Sequence, residues 1–123
     1  MIQPNISGVG VDIESIERFR NTELVNDKLL LKKIFTTNEL IYCSDYADPA
    51  PHLAVRFAAK EAIIKALAAT GIIVNEFSKI EILNDKSSIP HAAIHVAEID
   101  KIHINISLSH NQGNAIAFAV VTK

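Results

Sequence analysis

Two acidic side chains occupy positions that surface charge does not readily explain. Asp12 falls at the end of Ile6–Ile13, an apolar, glycine-containing segment that predicts a strand. Glu61 lies in the Ala-rich segment His52–Ala69, which predicts a long helix. Two carboxylates with water are the usual protein share of a Mg2+ site, and substrate phosphate supplies other oxygens. The alternative, which spacing alone favours, is that Asp12 caps the next helix and Glu61 pairs with Lys65 four residues later.

The same predicted helix carries three cations within three turns, Arg56, Lys60 and Lys65. Such a cluster beside an acidic pair suits a polyphosphate that chelates a metal. The alternative is that the lysine stems cover apolar surface while their ammonium groups reach solvent. Helical spacing puts Lys60 near the middle of an apolar stripe, where a charge needs a partner.

A third candidate group ends a predicted strand, at Ser107, Ser109 and His110. These residues could bind phosphate or supply a base near neutral pH. A Ser/His nucleophile pair is disfavoured, because neighbouring residues at a strand end do not face each other as that chemistry requires. The remaining histidines show no metal-ligand spacing with Cys43, so Cys43 is interpreted as structural.

The N-terminal half must position these groups with one strand followed by helices. Short helices are predicted from Glu14 to about Leu24 and around Leu29–Phe35. Thr36 and Glu39 have the spacing of a capping box, so another helix begins there. The long helix that follows is apolar on all sides, which predicts burial, and Gly71 stands just beyond its end.

The C-terminal half alternates as a sheet does. Ile80 with Ile82, His91–Val96, Ile102–Leu108 and Ala115–Val121 predict strands, and the last two form a hairpin. One strand, then helices, then a run of strands predicts an α+β fold in which one long buried helix packs on an antiparallel sheet.

Composition limits the classes of function. The chain has 123 residues and a net charge of -2, which predicts a single domain over 1–123 and gives no general electrostatic case for nucleic acid. One cysteine excludes an internal disulfide, and neither a signal peptide nor a bilayer-spanning apolar run is recognisable. We therefore expect a cytoplasmic protein without membrane contact, and its small size makes oligomerisation plausible.

Three sequence blocks occur together in register: Gly-Val-Asp-Ile at 10–13 with Arg18-Phe19, Arg-Phe-Ala-Ala-Lys-Glu-Ala-Ile-Ile-Lys-Ala at 56–66, and Ser-Leu-Ser-His at 107–110. In this order and separation they resemble the short bacterial holo-acyl-carrier-protein synthases, the group I 4'-phosphopantetheinyl transferases. The resemblance runs essentially end to end and implies that family's fold.

The resemblance implies transfer of 4'-phosphopantetheine from coenzyme A to a serine of apo acyl carrier protein, with release of adenosine 3',5'-bisphosphate, in fatty acid biosynthesis. By the same resemblance Asp12 and Glu61 hold Mg2+ and Lys60 lies against the transferred or leaving phosphate. Whether Glu61, a metal-bound water or His110 deprotonates the serine stays open, and Glu61 is our preferred base.

Coenzyme A contacts are implied for a further set of residues: Arg56, Lys60, Lys65, Ser109 and His110. Family analogy implies a homotrimer whose sites are shared, with Asp12 and Glu61 from one protomer and His110 from its neighbour. Arg18 and Arg20 are expected to dock the acidic carrier.

The chain also departs from the family pattern. Ala68 replaces a usual glycine, and Ser88-Ile89-Pro90 replaces a usual Gly-Lys-Pro turn. These departures motivate an alternative, a catalytically weak relative that only binds coenzyme A or the carrier. A hot-dog acyl-CoA thioesterase is a second alternative, although it leaves Asp12 and the Lys60-Glu61 pair without a role.

Overall fold

A computed structural model describes residues 5–20 and 23–123. In chain order its elements are β1 (Ile6–Ser15), a 3-10 turn (Ile16–Phe19), α1 (Glu23–Asn26), α2 (Lys28–Ile34), α3 (Thr37–Ser44), α4 (Ala50–Ala68), a 3-10 turn (Phe77–Lys79), β2 (Ile80–Asn84), β3 (Pro90–Ile94), a 3-10 turn (Ala97–Ile99), β4 (His103–His110) and β5 (Asn114–Thr122). The predicted α+β fold is confirmed, with α4 as its long helix.

Most of helix α4 is buried, as its composition predicts, and its exposed residues are Lys65 and Ala68. Its alanines leave room for close packing, and Pro51 lies in the first turn, where a missing N–H costs nothing. The helix ends before Gly71, whose φ of 89° is the left-handed conformation expected just beyond a helix end. Within the described ranges, no helix is long and apolar enough to cross a membrane.

Strand β1 packs directly on α4 through two glycines. A Cβ added at Gly8 would lie 2.0 Å from the Ala66 carbonyl oxygen, and one at Gly10 would lie 1.9 Å from that of Ala62. Only glycine permits this approach. Asp12 continues the same face of the strand, so the glycine contact also brings Asp12 to the helix.

The main sheet has the antiparallel order β1-β5-β4, with Asp12 opposite Ala117 and His110 opposite Ala115. Strands β2 and β3 form a separate antiparallel pair. One face of the main sheet covers α4. Its opposite face exposes large apolar side chains, among them Val9, Val11 and Phe118.

The region after Asp12 differs from the prediction. Strand β1 continues to Ser15, so Asp12 lies inside a strand, and the first residues of the helix predicted from Glu14 form the end of β1 and a 3-10 turn. Residues 21 and 22 of that predicted helix lie outside the described residues. The capping box is confirmed, because Thr36 and Glu39 exchange side-chain to backbone hydrogen bonds at the start of α3.

Candidate functional site

Asp12 and Lys65 meet where β1 crosses α4. The Lys65 ammonium lies 3.2 Å from Asp12 Oδ1 and donates to the carbonyl oxygen of Val11 at 3.0 Å. Asp12 Oδ2 is buried and accepts no hydrogen bond from the described part of the chain. A buried carboxylate oxygen without a donor is costly, so this atom is positioned to bind a cation.

Glu61 is half-buried on α4 beside the same group. Burial raises the pKa of its carboxyl above the usual value, the charge of Asp12 raises it further, and Lys65 opposes the change. The structure therefore brings Asp12 and Glu61 into one electrostatic group. The alternative, in which Asp12 caps a helix and Glu61 pairs with Lys65, is not supported. Lys65 forms its ion pair with Asp12, and no helix begins at Asp12.

Glu14 is a third carboxylate in this group, and the sequence interpretation missed it. Burial and then the charge of Asp12 raise its pKa, whereas Arg18, whose Nη1 lies 2.9 Å from Glu14 Oε2, lowers it. Residues two apart on a strand share a face. The two-residue spacing of Asp12 and Glu14 could have indicated a shared strand face, but the sequence analysis predicts a helix from Glu14.

Lys60 lies elsewhere. Its fully buried ammonium pairs with Glu39 Oε1 at 2.6 Å and donates to the carbonyl oxygens of Ile34 and Phe77. Burial lowers its pKa and the charge of Glu39 opposes this. The structure does not place Lys60 where the expected phosphate contact could form. Its ammonium is buried and is bonded to oxygen atoms of the protein.

A second polar group surrounds a cavity of about 330 Å³ between the start of α4 and the end of β4. Arg56, Ser109 and His110 line it, as does His52, one turn before Arg56. Burial, then the charges of Arg56 and His110, lower the pKa of His52. The structure therefore brings together Arg56, Ser109 and His110, whereas Lys65 lies with the carboxylates.

Arg56 is held rigidly at the wall of this cavity. It is buried, donates to Ile82 O at 3.3 Å and to Asn84 Oδ1 at 3.0 Å, and lies 4.2 Å from the centre of the Tyr42 ring. Tyr42 and His52 also line the cavity and were not predicted. The position of His52 four residues before Arg56 was the available signal.

The two arginines expected to dock a carrier differ in their surroundings. Arg18 is half-exposed, pairs with Glu14 and lies over the rings of Phe19 and Phe57. Arg20 pairs with both Glu17 and Asp48. Two acidic partners offset the charge of Arg20, so it contributes little positive potential to this surface.

The carboxylate group fits a hard divalent cation. Asp12 and Glu61 present carboxylate oxygens, the ligand type that Mg2+ prefers, and no described residue donates a hydrogen bond to Asp12 Oδ2. Among the described residues, no group of three His, Cys, Asp or Glu side chains is arranged to hold a metal by itself. A metal here would take further ligands from water or a substrate.

Comparison with known proteins defines the class. A family model described as ACPS, the 4'-phosphopantetheinyl transferase superfamily, matches residues 8–121. Curated holo-acyl-carrier-protein synthases are similar over nearly their whole length. That of Thermodesulfovibrio yellowstonii is 39% identical, covering 95% of this chain and 99% of the relative, and that of Geotalea daltonii is 40% identical, covering 96% and 99%.

Solved structures agree. A holo-acyl-carrier-protein synthase of Bacillus anthracis, in complex with CoA (3',5'-ADP), superposes with a TM-score of 0.77 at 31% identity, covering 96% of this chain and 97% of that one. The Neisseria meningitidis enzyme gives 0.80 at 29% identity, covering 97% and 100%. The chain belongs to the holo-acyl-carrier-protein synthase family of this superfamily. The resemblance, the fold class and the assignment as a transferase are thereby confirmed, and the hot-dog thioesterase alternative loses its basis.

Proposed function

We propose that this transferase moves 4'-phosphopantetheine from coenzyme A to a serine of apo acyl carrier protein with Mg2+ held by Asp12 and Glu61. The observation that carries the proposed mechanism is the buried Asp12 Oδ2, which accepts no hydrogen bond from the described chain. The charge of Asp12 also helps to raise the pKa of the nearby Glu61 carboxyl. Mg2+ bound there would neutralise charge on the coenzyme A pyrophosphate.

Glu61 is the proposed base. The serine hydroxyl gives its proton to the Glu61 carboxylate, directly or through a water, as the serine oxygen bonds to the phosphorus that carries pantetheine. The bond from this phosphorus to the leaving phosphate breaks, and adenosine 3',5'-bisphosphate is released.

Cations of this chain hold the phosphates. Lys65, already beside Asp12, is half-exposed and can contact the pyrophosphate. Arg56, Ser109 and His110 line the cavity at the other end of α4 and are proposed to contact the remaining coenzyme A phosphate or the nucleotide. Because Lys60 is fully buried, we propose that it holds α4 in place and does not contact a phosphate.

A homotrimer with shared sites remains part of the proposal. The outer face of the main sheet exposes Val9, Val11, Ile13, Ile116 and Phe118, each more than two-fifths accessible. A contiguous apolar face of this kind is typical of a surface buried by association. Two strands of this sheet also carry Asp12 and His110, which are proposed for the shared sites.

A shared site can be tested by complementation. If Asp12 and Glu61 come from one protomer and His110 from its neighbour, mixing inactive Asp12→Asn and His110→Ala proteins regenerates activity in mixed trimers. Recovery is partial because only some interfaces combine two intact halves. Mixed trimers verified by mass that stay inactive would contradict the shared site.

The carrier is proposed to dock beside Arg18. Two bases, Arg18 and Lys33, and one acid, Glu76, border an apolar groove of about 680 Å³ whose lining includes Phe57 and Phe77. Basic residues around an apolar groove suit an acidic, amphipathic helix. Arg20, paired with two acids, is assigned a smaller part in this docking.

The proposal is tested by incubating the protein with coenzyme A, Mg2+ and apo acyl carrier protein. Mass spectrometry should show the phosphopantetheine addition, and Asp12→Asn or Glu61→Gln should abolish it without loss of fold. Glu98→Gln, an exposed acid, is the matched control. Coenzyme A binding without transfer would instead support the binding-only alternative, and full activity of both site variants would refute the metal assignment.

A further inference from the structure

The buried ion pair between Glu39 and Lys60 connects α3 to the middle of α4. Both side chains are fully buried, and Lys60 Nζ lies 2.6 Å from Glu39 Oε1. Glu39 Oε1 also accepts from the backbone N–H of Thr36 at 2.8 Å, while Oε2 accepts from that of Ile82 at 2.8 Å. One carboxylate therefore binds the start of α3, strand β2 and helix α4 together.

Lys60 extends this network to two other segments. Its ammonium donates to the carbonyl oxygen of Ile34, at the end of α2, at 2.7 Å, and to that of Phe77 at 3.1 Å. Arg56, one turn earlier on α4, donates to the Ile82 carbonyl. The backbone of Ile82 is thus held through its N–H by Glu39 and through its carbonyl by Arg56.

Stability alone does not account for a buried ion pair. Desolvating two charges can cost more than their attraction returns, and apolar residues of similar volume often serve as well. What the pair adds is direction, because an ammonium among fixed acceptors allows less displacement than an apolar contact. Most of helix α4 is buried among apolar side chains, so a charged contact with fixed acceptors adds a directional constraint to the packing of its backbone against β1.

Rotation of α4 bears directly on chemistry. Glu61 follows Lys60, so the two side chains leave the helix about 100° apart. A rotation of about 10° displaces a group at the side-chain radius of about 5–6 Å by about 1 Å. A misplacement of about 1 Å at reacting groups can cost about a hundredfold in rate.

We propose that Glu39 is a positioning residue, which through Lys60 fixes the rotation of α4 so that Glu61 faces Asp12. This inference rests on the proposed function, in which Asp12 and Glu61 hold the metal. Glu39 itself lies in the capping box of α3 and bonds to Lys60 rather than to the carboxylate group. Its effect on the metal is therefore indirect.

The test compares Glu39→Gln with the double variant Glu39→Gln/Lys60→Met. Mn2+ is the probe, and its binding in the presence of coenzyme A is measured by electron paramagnetic resonance. Both variants should bind Mn2+ about tenfold more weakly, the scale for loss of an indirect support. At saturating metal the rate should largely recover, because the metal favours the aligned state. Glu61→Gln should not recover.

The double variant separates positioning from stability. It leaves no buried charge unpaired, so its Tm should exceed that of Glu39→Gln while its Mn2+ binding stays weak. It also decides the question if Glu39→Gln does not fold. Val121→Ala, which removes buried apolar volume on β5, is the control for lost stability and should bind Mn2+ normally.

Wild-type Mn2+ binding in the double variant, or equal weakening in Val121→Ala, would overturn the positioning role. Failure of the proposed function has a different signature. In that case the wild-type protein itself would show no metal-dependent transfer, and Asp12→Asn would bind Mn2+ as the wild type does.

Discussion

Gly10→Ala is expected to damage function more than its size suggests. The added Cβ would lie 1.9 Å from the Ala62 carbonyl oxygen, and ordinary contact begins at 3.4 Å, so β1 must move by about 1.5 Å. The obstacle is helix backbone, which has no alternative rotamer. Overpacking of this kind costs about 1–3 kcal/mol of unfolding free energy. Asp12, two residues along the same face, moves with the strand, and a shift of this scale predicts a loss of about a hundredfold in transfer rate.

Two other glycines serve as controls for this prediction. Gly113→Ala meets no atom within 4 Å and should leave both Tm and rate unchanged. Gly71→Ala also meets no atom, but its φ of 89° predicts a conformational cost of about 1 kcal/mol or more without a specific loss of rate. Thermal unfolding and carrier modification are measured on all three variants. A folded Gly10→Ala protein with wild-type rate would refute the inference that this contact positions Asp12.

Three other positions test the electrostatics of the carboxylate group, the interface on the outer sheet face and the burial of Cys43. Glu61→Gln should be more stable than the metal-free wild type, and the difference should grow as pH rises from 4.5 to the raised native pKa of Glu61 and then stay constant. The raised pKa means that the wild-type fold binds this proton more tightly than the unfolded chain and so loses stability on deprotonation. Scanning fluorimetry with a chelator checks this, and a pH-independent difference would contradict it. Phe118→Asp should reduce self-association in ultracentrifugation, and an unchanged assembly would show that the outer sheet face is not the interface. Cys43, whose pKa burial raises to about 11, should resist thiol reagents at neutral pH until the protein unfolds, and rapid native labelling would disagree.

The elements predicted correctly are those with strong periodic patterns. Helix α4 combines alanine-rich sequence with a glycine beyond its end, and β4 alternates strictly. The extension of β1 to Ser15 was not predictable from local preference. Glu14 and Ser15 are weak strand formers, and their conformation follows from pairing with Ala115 and Asn114, a hundred residues along the chain.

The contacts of the candidate site were likewise predicted only in part. The proximity of Asp12 and Glu61 was implied by the family resemblance, since spacing alone favoured separate partners for the two carboxylates. The partner of Lys60 was not, although the capping box around Glu39 was recognised. A capping box explains one oxygen of Glu39, whereas its burial against α4 and β2 depends on tertiary packing that no local pattern encodes.

The order of the Lys60-Glu61 dipeptide connects these two outcomes. A step of about 100° on α4 turns Lys60 toward α3 and β2, where the acceptors are fixed, and turns Glu61 toward β1, where Asp12 lies. The reverse order would place a carboxylate beside Glu39 in the core and an ammonium beside Asp12. That arrangement would bury like charges together and displace the proposed metal. Because the two residues are adjacent, one rotational setting of α4 places Lys60 against Glu39 and Glu61 against Asp12 at the same time.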